Sequence, residues 1–364
     1  MNRAWMHSGL AGVLTLTALG AGLTWQAADA GERPGESAAG LSAPGGAESR
    51  PGENAATEYW RVLTVMTSEL KARPEFVLEA PLRGGAVDAE LLAKVRPTVE
   101  ALRDAANRLV EASKIDHCDF MGGQLQAEGP LALMPHLSPM RQGMQLLIAS
   151  ACVDAQDGRG DRAAAQLAGA FRMSRHLQNE NVLISSLVSI SGFRLIDQAV
   201  AALLDAGAID AAGQGELAGA LRRFDPADPF RVRAAFLGER TYFVGWIRRE
   251  LAGAGEGASQ ARDFLAGLAK EGGSKGAEVV MQTLERGQSI EPYLVLTEAF
   301  YDEMLKIWDE PDAAAKIAQL ESRADKNEFG PLTTIILPSG SKVLEQSRGA
   351  EARLAALQSR VTSR

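Results

Sequence analysis

From residue 54 onward, apolar residues recur at three- and four-residue steps, the spacing that places them on one face of a helix. In NAATEYWRVLTVMTSELKARP, Tyr59, Leu63, Met66 and Leu70 share such a face, and Pro74 ends the run. A second helical region opens at Asp88, a residue suited to capping, and Pro97 divides it. Val99, Leu102, Ala106, Leu109 and Val110 then continue as an apolar stripe. Residues 115–136 break the pattern with Gly122, Gly123, Gly129, Pro130 and Pro135. At roughly 20 residues this stretch is too long for a simple connection, and long ordered loops in compact domains often carry function.

The clearest local architecture follows, in SPMRQGMQLLIASACVDAQDGRGDRAAAQLAGAFRMSRHLQNE. Ser138 is placed to cap, Pro139 suits the first helical position, and Met140, Met144, Leu147 and Ala151 form a stripe. Gly158 and Gly160 make a turn, and Asp161 opens a second helix with Ala164, Leu167, Ala168 and Phe171. The expected unit is an antiparallel helical hairpin of tetratricopeptide-like length, without a second copy at that repeat's spacing. NVLISSLVSISGFRLIDQAVAALLDAG then predicts a long helix, apolar around most of its circumference and closed by Gly207, the signature of a central buried element.

Helical periods continue to the C-terminus. DPFRVRAAFLGERTYFVGWIRREL opens at Asp228 and Pro229, and Tyr242, Phe243 and Trp246 are expected in the core. The stretches AGAGEGASQ and EGGSKGAE read as exposed and loosely packed. EPYLVLTEAFYDEMLKIW predicts a strong helix with Tyr293, Leu296, Phe300, Met304 and Ile307 inward, and GPLTTIILPSG a short buried one. The tail is amphipathic, with Val343, Ala350, Leu354, Leu357 and Val361 on its apolar face. Without β-hairpin signals or alternation of strand with helix, the fold class is all-α, antiparallel helical hairpins packed as a bundle or short TPR-like solenoid. Gly207 marks a division into helical halves at 54–207 and 208–364.

The N-terminus follows a different rule. Arg3 precedes an uncharged stretch from Gly9 to Trp25, and ADA at residues 28–30 offers small residues for a signal peptidase. Residues 1–30 are therefore expected to be a signal peptide, or an uncleaved anchor. The next segment, 31–53, is dominated by Gly, Pro, Ser, Glu and Ala and reads as a flexible linker.

Composition narrows the possibilities further. Hydrophobic residues make up 46% of the chain but aromatics only 5%, so the core must be built from small and aliphatic side chains. The net charge is −8 without a basic tract, which speaks against a nucleic-acid partner, since phosphate neutralisation needs a coherent positive face.

The order of features resembles a group of exported helical proteins frequent in planctomycete-type bacteria. It is carried by ENAATEYW, CDF in the irregular loop, PHLSPMRQGMQLL, GDRAAAQL, LISSLVSI and GPLTTIILP. The resemblance implies an all-helical, TPR-like exported protein and brings no catalytic residue with it.

The candidate chemistry sits in SKIDHCDFMGG, where Asp116, His117, Cys118 and Asp119 are adjacent in a chain with only 4 His and 2 Cys. One reading is a Cys118 nucleophile activated by His136 at the far end of the loop, with His117 as a further candidate. A metal site of His117, Cys118 and His136 is a variant of it. In an oxidising compartment a disulfide between Cys118 and Cys152 is the simpler alternative, worth about 3–4 kcal/mol in the chain-entropy model. A third is a pair of buried free thiols. His136 reads as a loop-to-core hydrogen bond and His176 as an exposed residue near a helix end. Zinc-protease, EF-hand, phosphate-loop and nucleophile-elbow motifs are absent, so no cofactor and no metal are expected.

The expected function is an exported cell-envelope scaffold or partner-binding module without catalytic activity, its partner another envelope protein or a peptide. Contact with a membrane would come only through an uncleaved N-terminal segment. The alternative is a hydrolase-type enzyme using a Cys/His site in the 115–136 loop.

Overall fold

The computed structural model describes residues 54–253, 255–272, 275–336 and 339–362. The signal segment and the linker expected from the sequence lie outside the described residues. The described chain is all-α, as its periodicity requires, apart from one two-residue ladder pairing β1 (Leu82–Arg83) with β2 (Ala86–Val87). That ladder corrects the expectation of no hairpin. Gly84 and Gly85 both take positive φ, 59° and 83°, which a two-residue hairpin turn demands and glycine supplies freely.

Among the described residues the chain forms two compact units, neither continuous in sequence. The larger holds residues 54–121, 134–239 and 344–362; the smaller holds 122–133 and 240–343. Gly207 and the helices on both sides of it lie within the larger unit.

The larger unit begins with α1 (Ala55–Ala72), where Asn54 caps by accepting from the Ala56 N–H at 3.0 Å. Tyr59, Leu63 and Met66 are fully buried, as the stripe predicts. Asp88 caps α2 (Ala89–Ala101) through the N–H groups of Glu90 and Leu91. Pro97 does not divide this region. It sits inside α2, and the break falls at Leu102, before α3 (Arg103–Ser113).

The hairpin is α5 (Leu137–Gln156) and α6 (Gly160–Leu177), which pack on one another after the short helix α4 (Gln124–Glu128) of the other unit. α5 starts at Leu137, ahead of Ser138 and Pro139, so Ser138 is not its cap. Asp161 lies within the first turn of α6 instead of capping it. The turn is held by the buried Asp154. Its Oδ1 accepts from Arg159 Nη2 at 2.6 Å and from Arg103 Nη1 at 2.9 Å, and its Oδ2 accepts from Gln166 Nε2 at 3.0 Å. Burial alone would raise this carboxyl, but the arginine hydrogen bonds outweigh it and hold it below the usual carboxylate range.

α7 (Leu183–Asp205) is the expected central helix, and Gly207 ends it at φ 66°. Among the described residues it is the one helix long and apolar enough to cross a membrane, and more than half of its most apolar window is buried inside the protein. α8 (Ala211–Leu221) follows, and Asp228 caps α9 (Val232–Glu239) by accepting from Val232 and Ala234 N–H. The unit closes with residues 344–362 of α16 (Gly340–Thr362), where Ala350, Leu354, Leu357 and Val361 are buried as the sequence predicts.

The smaller unit contains a π-helix (Arg240–Val244), α10 (Gly245–Ala252), α11 (Glu256–Gly272), α12 (Lys275–Glu285), α13 (Glu291–Ile307), α14 (Ala313–Asp325) and α15 (Gly330–Ile336). Of the stretches expected to be loose and exposed, residues 256–260 and 275–278 lie in helices, while Glu256, Ser259, Gln260 and Glu278 are exposed as expected. Ala258, Ala261, Phe264, Leu265 and Leu268 give α11 a buried stripe. Gly276 lets α12 approach α15, since a Cβ there would stand 2.6 Å from the Pro331 carbonyl. In α13 the register is shifted from expectation: Leu294, Thr297, Phe300, Tyr301 and Met304 are buried, and Leu296 is 37% exposed. Trp246 is buried as expected, whereas Tyr242 and Phe243 are only half-buried.

Candidate functional site

The sequence directs attention first to Cys118, His117 and His136, all in the larger unit. The strand of loop carrying them is tied down by its backbone. Ala55 donates to the His117 carbonyl at 2.8 Å, Asn54 Nδ2 donates to the Asp119 carbonyl at 3.0 Å, and Asn179 Nδ2 donates to the Cys118 carbonyl at 3.1 Å. These contacts turn the Cys118 side chain inward and leave His117 exposed.

Cys118 and Cys152 are two separate buried thiols; the expected disulfide between them is not formed. Their surroundings differ. Cys118 feels Glu180, Asp119 and Arg175, while burial alone shifts Cys152. Burial, reinforced by the nearby carboxylates, pushes the Cys118 thiol far up, and burial pushes that of Cys152 to about 12. A nucleophilic cysteine needs the opposite, a thiolate stabilised by a cation.

His136 goes to a different partner. Its Nε2 stands 2.5 Å from Oε1 of Glu180, with both side chains almost completely buried. The contact is close without hydrogen-bond alignment, and neither atom has another partner. Ser185 Oγ donates to the other oxygen of Glu180. The imidazole is covered by Phe120, stacked on it at 4.3 Å and nearly parallel, and by the edge of Trp60 at 6.4 Å. Ser, Glu and His thus meet with the carboxylate in the middle. A hydrolytic triad requires the imidazole in the middle, taking the hydroxyl proton, so this order supplies no activated nucleophile.

His176 is also buried, against the expectation of an exposed helix-end residue. Its Nδ1 meets Tyr59 Oη at 3.0 Å, and burial together with Arg175 lowers its pKa to about 3. Among the described residues no three His, Cys, Asp or Glu side chains converge as a metal site, so His117, Cys118 and His136 do not form one.

An open groove of about 500 Å³ lies elsewhere on the larger unit, between α16 and the connection from α8 to α9. Its apolar lining comes from Ala218, Phe224, Leu354 and Val361, with Pro226 and Pro229 on one side. Arg222, Glu351, Gln358 and Ser359 supply the polar rim. Gln358 Nε2 donates to the Leu221 carbonyl at 3.0 Å and so fastens α16 to the end of α8. The proline pair and the aspartate caps at Asp225 and Asp228 fix the α8–α9 connection, so this wall is preformed. Single-sequence reading missed both Glu180 and the groove. The first sits in a polar run that looks solvated, and the second joins residues more than a hundred positions apart.

Comparison with protein-family models, with curated proteins and with solved structures gives no match to this chain.

Proposed function

We propose that this chain is an exported helical module that binds a partner, a peptide segment of another envelope protein, without catalysing a reaction on it. The observation that carries the reading is the groove between α8 and α16, with its apolar floor, polar rim and fixed proline-bearing wall. Its volume suits a few side chains of a docked segment, the size range of specific recognition pockets. The export half rests on the N-terminal sequence: Arg3, the uncharged stretch, and ADA before a Gly/Pro/Ser-rich linker. The hydrolase reading draws no support from the Cys118 loop, where the thiol is buried and the imidazole of His136 faces Glu180.

Photo-crosslinking in the producing cell tests the reading. A photoreactive residue at the exposed groove position Ala355 is expected to give a discrete adduct with an envelope protein. The same residue at the exposed Arg108 on α3 is the control. Equal labelling at both positions, or none at Ala355, overturns the assignment of the groove.

A further inference from the structure

A second cleft in the larger unit, of about 260 Å³, is lined by Arg175, Gln178, Asn179, Arg223, Asp228 and Arg231. We infer that this cleft is a binding site for a small oxyanion, a carboxylate or phosphate group held between the three guanidiniums. The inference stands apart from the peptide groove.

Three arginines on one small cleft repel one another unless something negative lies among them. Asp225 and Asp228 also line the cleft and offset two of these charges, leaving one positive charge in excess to attract an anion. Asp228 spends both oxygens on the backbone, accepting from Val232 N–H at 2.9 Å and Ala234 N–H at 3.1 Å. Asp225, also on the wall, accepts from Ala227 N–H at 2.9 Å. Asp116 pairs with Arg223 and stands 3.9 Å from Arg175, but it is 70% exposed and outside the lining.

Arg175 and Arg231 retain unused donors. Arg175 Nε is shielded from solvent and has no hydrogen-bond partner. Arg231 pairs with no carboxylate among the described residues, and its backbone is held at φ 51°, a conformation rare for a side chain of its size. Burial and the neighbouring Arg223 pull the Arg175 guanidinium down, the consequence of crowded positive charge. Guanidinium forks match the oxygens of carboxylate and phosphate, and the amides of Gln178 and Asn179 border the same space. The volume is below that of pockets for drug-sized molecules, so one small anionic group is the fitting occupant.

Calorimetric titration of the full mature chain with inorganic phosphate, and separately with succinate, tests the site. Saturable binding of at least one anion is expected. Arg231→Asn removes the charge but keeps a residue that tolerates positive φ, and it should weaken the binding roughly tenfold or more with the melting temperature in plain buffer unchanged. Arg223→Gln should weaken it comparably. Binding of phosphate alone assigns a phosphoryl ligand, and binding of succinate alone a carboxylate. Absence of saturable heat from both anions, or a Kd untouched by Arg231→Asn, overturns the site.

Discussion

Glu239 and His176 are buried titratable groups whose shifts act on stability in opposite directions. Burial raises Glu239 to about 7, against the lowering effect of the Leu183 N–H it accepts at 2.9 Å. A raised carboxyl stabilises the fold below its unfolded value and loses that contribution as pH climbs through about 7. His176, lowered to about 3, stabilises above its unfolded value near 6.5 and loses the contribution as pH falls towards 3. Between 4.5 and 6.5 the two slopes cancel. Glu239→Gln removes one of them, so its stability should fall steadily as pH drops from 6.5, while above 7 it should exceed the wild type by up to about 3 kcal/mol. Urea unfolding across that range checks this, and parallel curves for the two proteins would contradict it. The thiols give a second expectation at this scale. Cys118 and Cys152 should both resist a thiol reagent at neutral pH in the native protein and both react after denaturation, so fast native reaction at Cys118 would restore the nucleophile reading. The burial of Glu239 and His176 was not legible in the sequence, whereas a pair of buried free thiols was one of its readings. Periodicity registers a His or Glu as a polar position facing water, and burial of such residues depends on partners brought in from distant segments. For His136 those partners are Glu180, Phe120 and Trp60, none adjacent to it in the chain.

At the scale of elements, the apolar spacing placed most helices and most inward faces, because a helix buries one stripe and the stripe is written every three or four residues. It erred where a local signal competed with packing. Pro97 stays inside α2, α11 and α12 begin within the glycine-rich stretches, and the register of α13 turns by enough to expose Leu296. That register makes a test. Leu294→Ala should cost about 2–5 kcal/mol, as a fully buried leucine does, and Leu296→Ala less than about 1 kcal/mol. Similar losses at both positions would mean the sequence-based register is the true one. The seating of α6 makes another. A Cβ on Gly160 would stand 2.2 Å from the Ala208 carbonyl, a backbone atom that cannot swing aside. Gly160→Ala should therefore destabilise by roughly 1–3 kcal/mol despite alanine's better helix propensity. A stabilised variant in thermal melting would show that this contact is not close.

At the scale of the whole chain, the two compact units interleave in sequence, and no local pattern marks where one gives way to the other. The sequence shows the α5–α6 hairpin well but says little about which distant helices meet, so the groove between α8 and α16 had no signature. The account rests on that groove being a docking site and on the Cys118 loop being structural. Selection of peptides from a random library on the purified chain, followed by affinity measurement on wild type and Ala355→Arg, tests it most directly. Ala355 is exposed on the groove, so arginine there obstructs the site without disturbing the core. The expected result is a set of enriched peptides with a shared apolar anchor, whose binding falls at least about tenfold in Ala355→Arg at unchanged melting temperature. Peptides that bind both proteins equally, or no enrichment at all, would contradict the account.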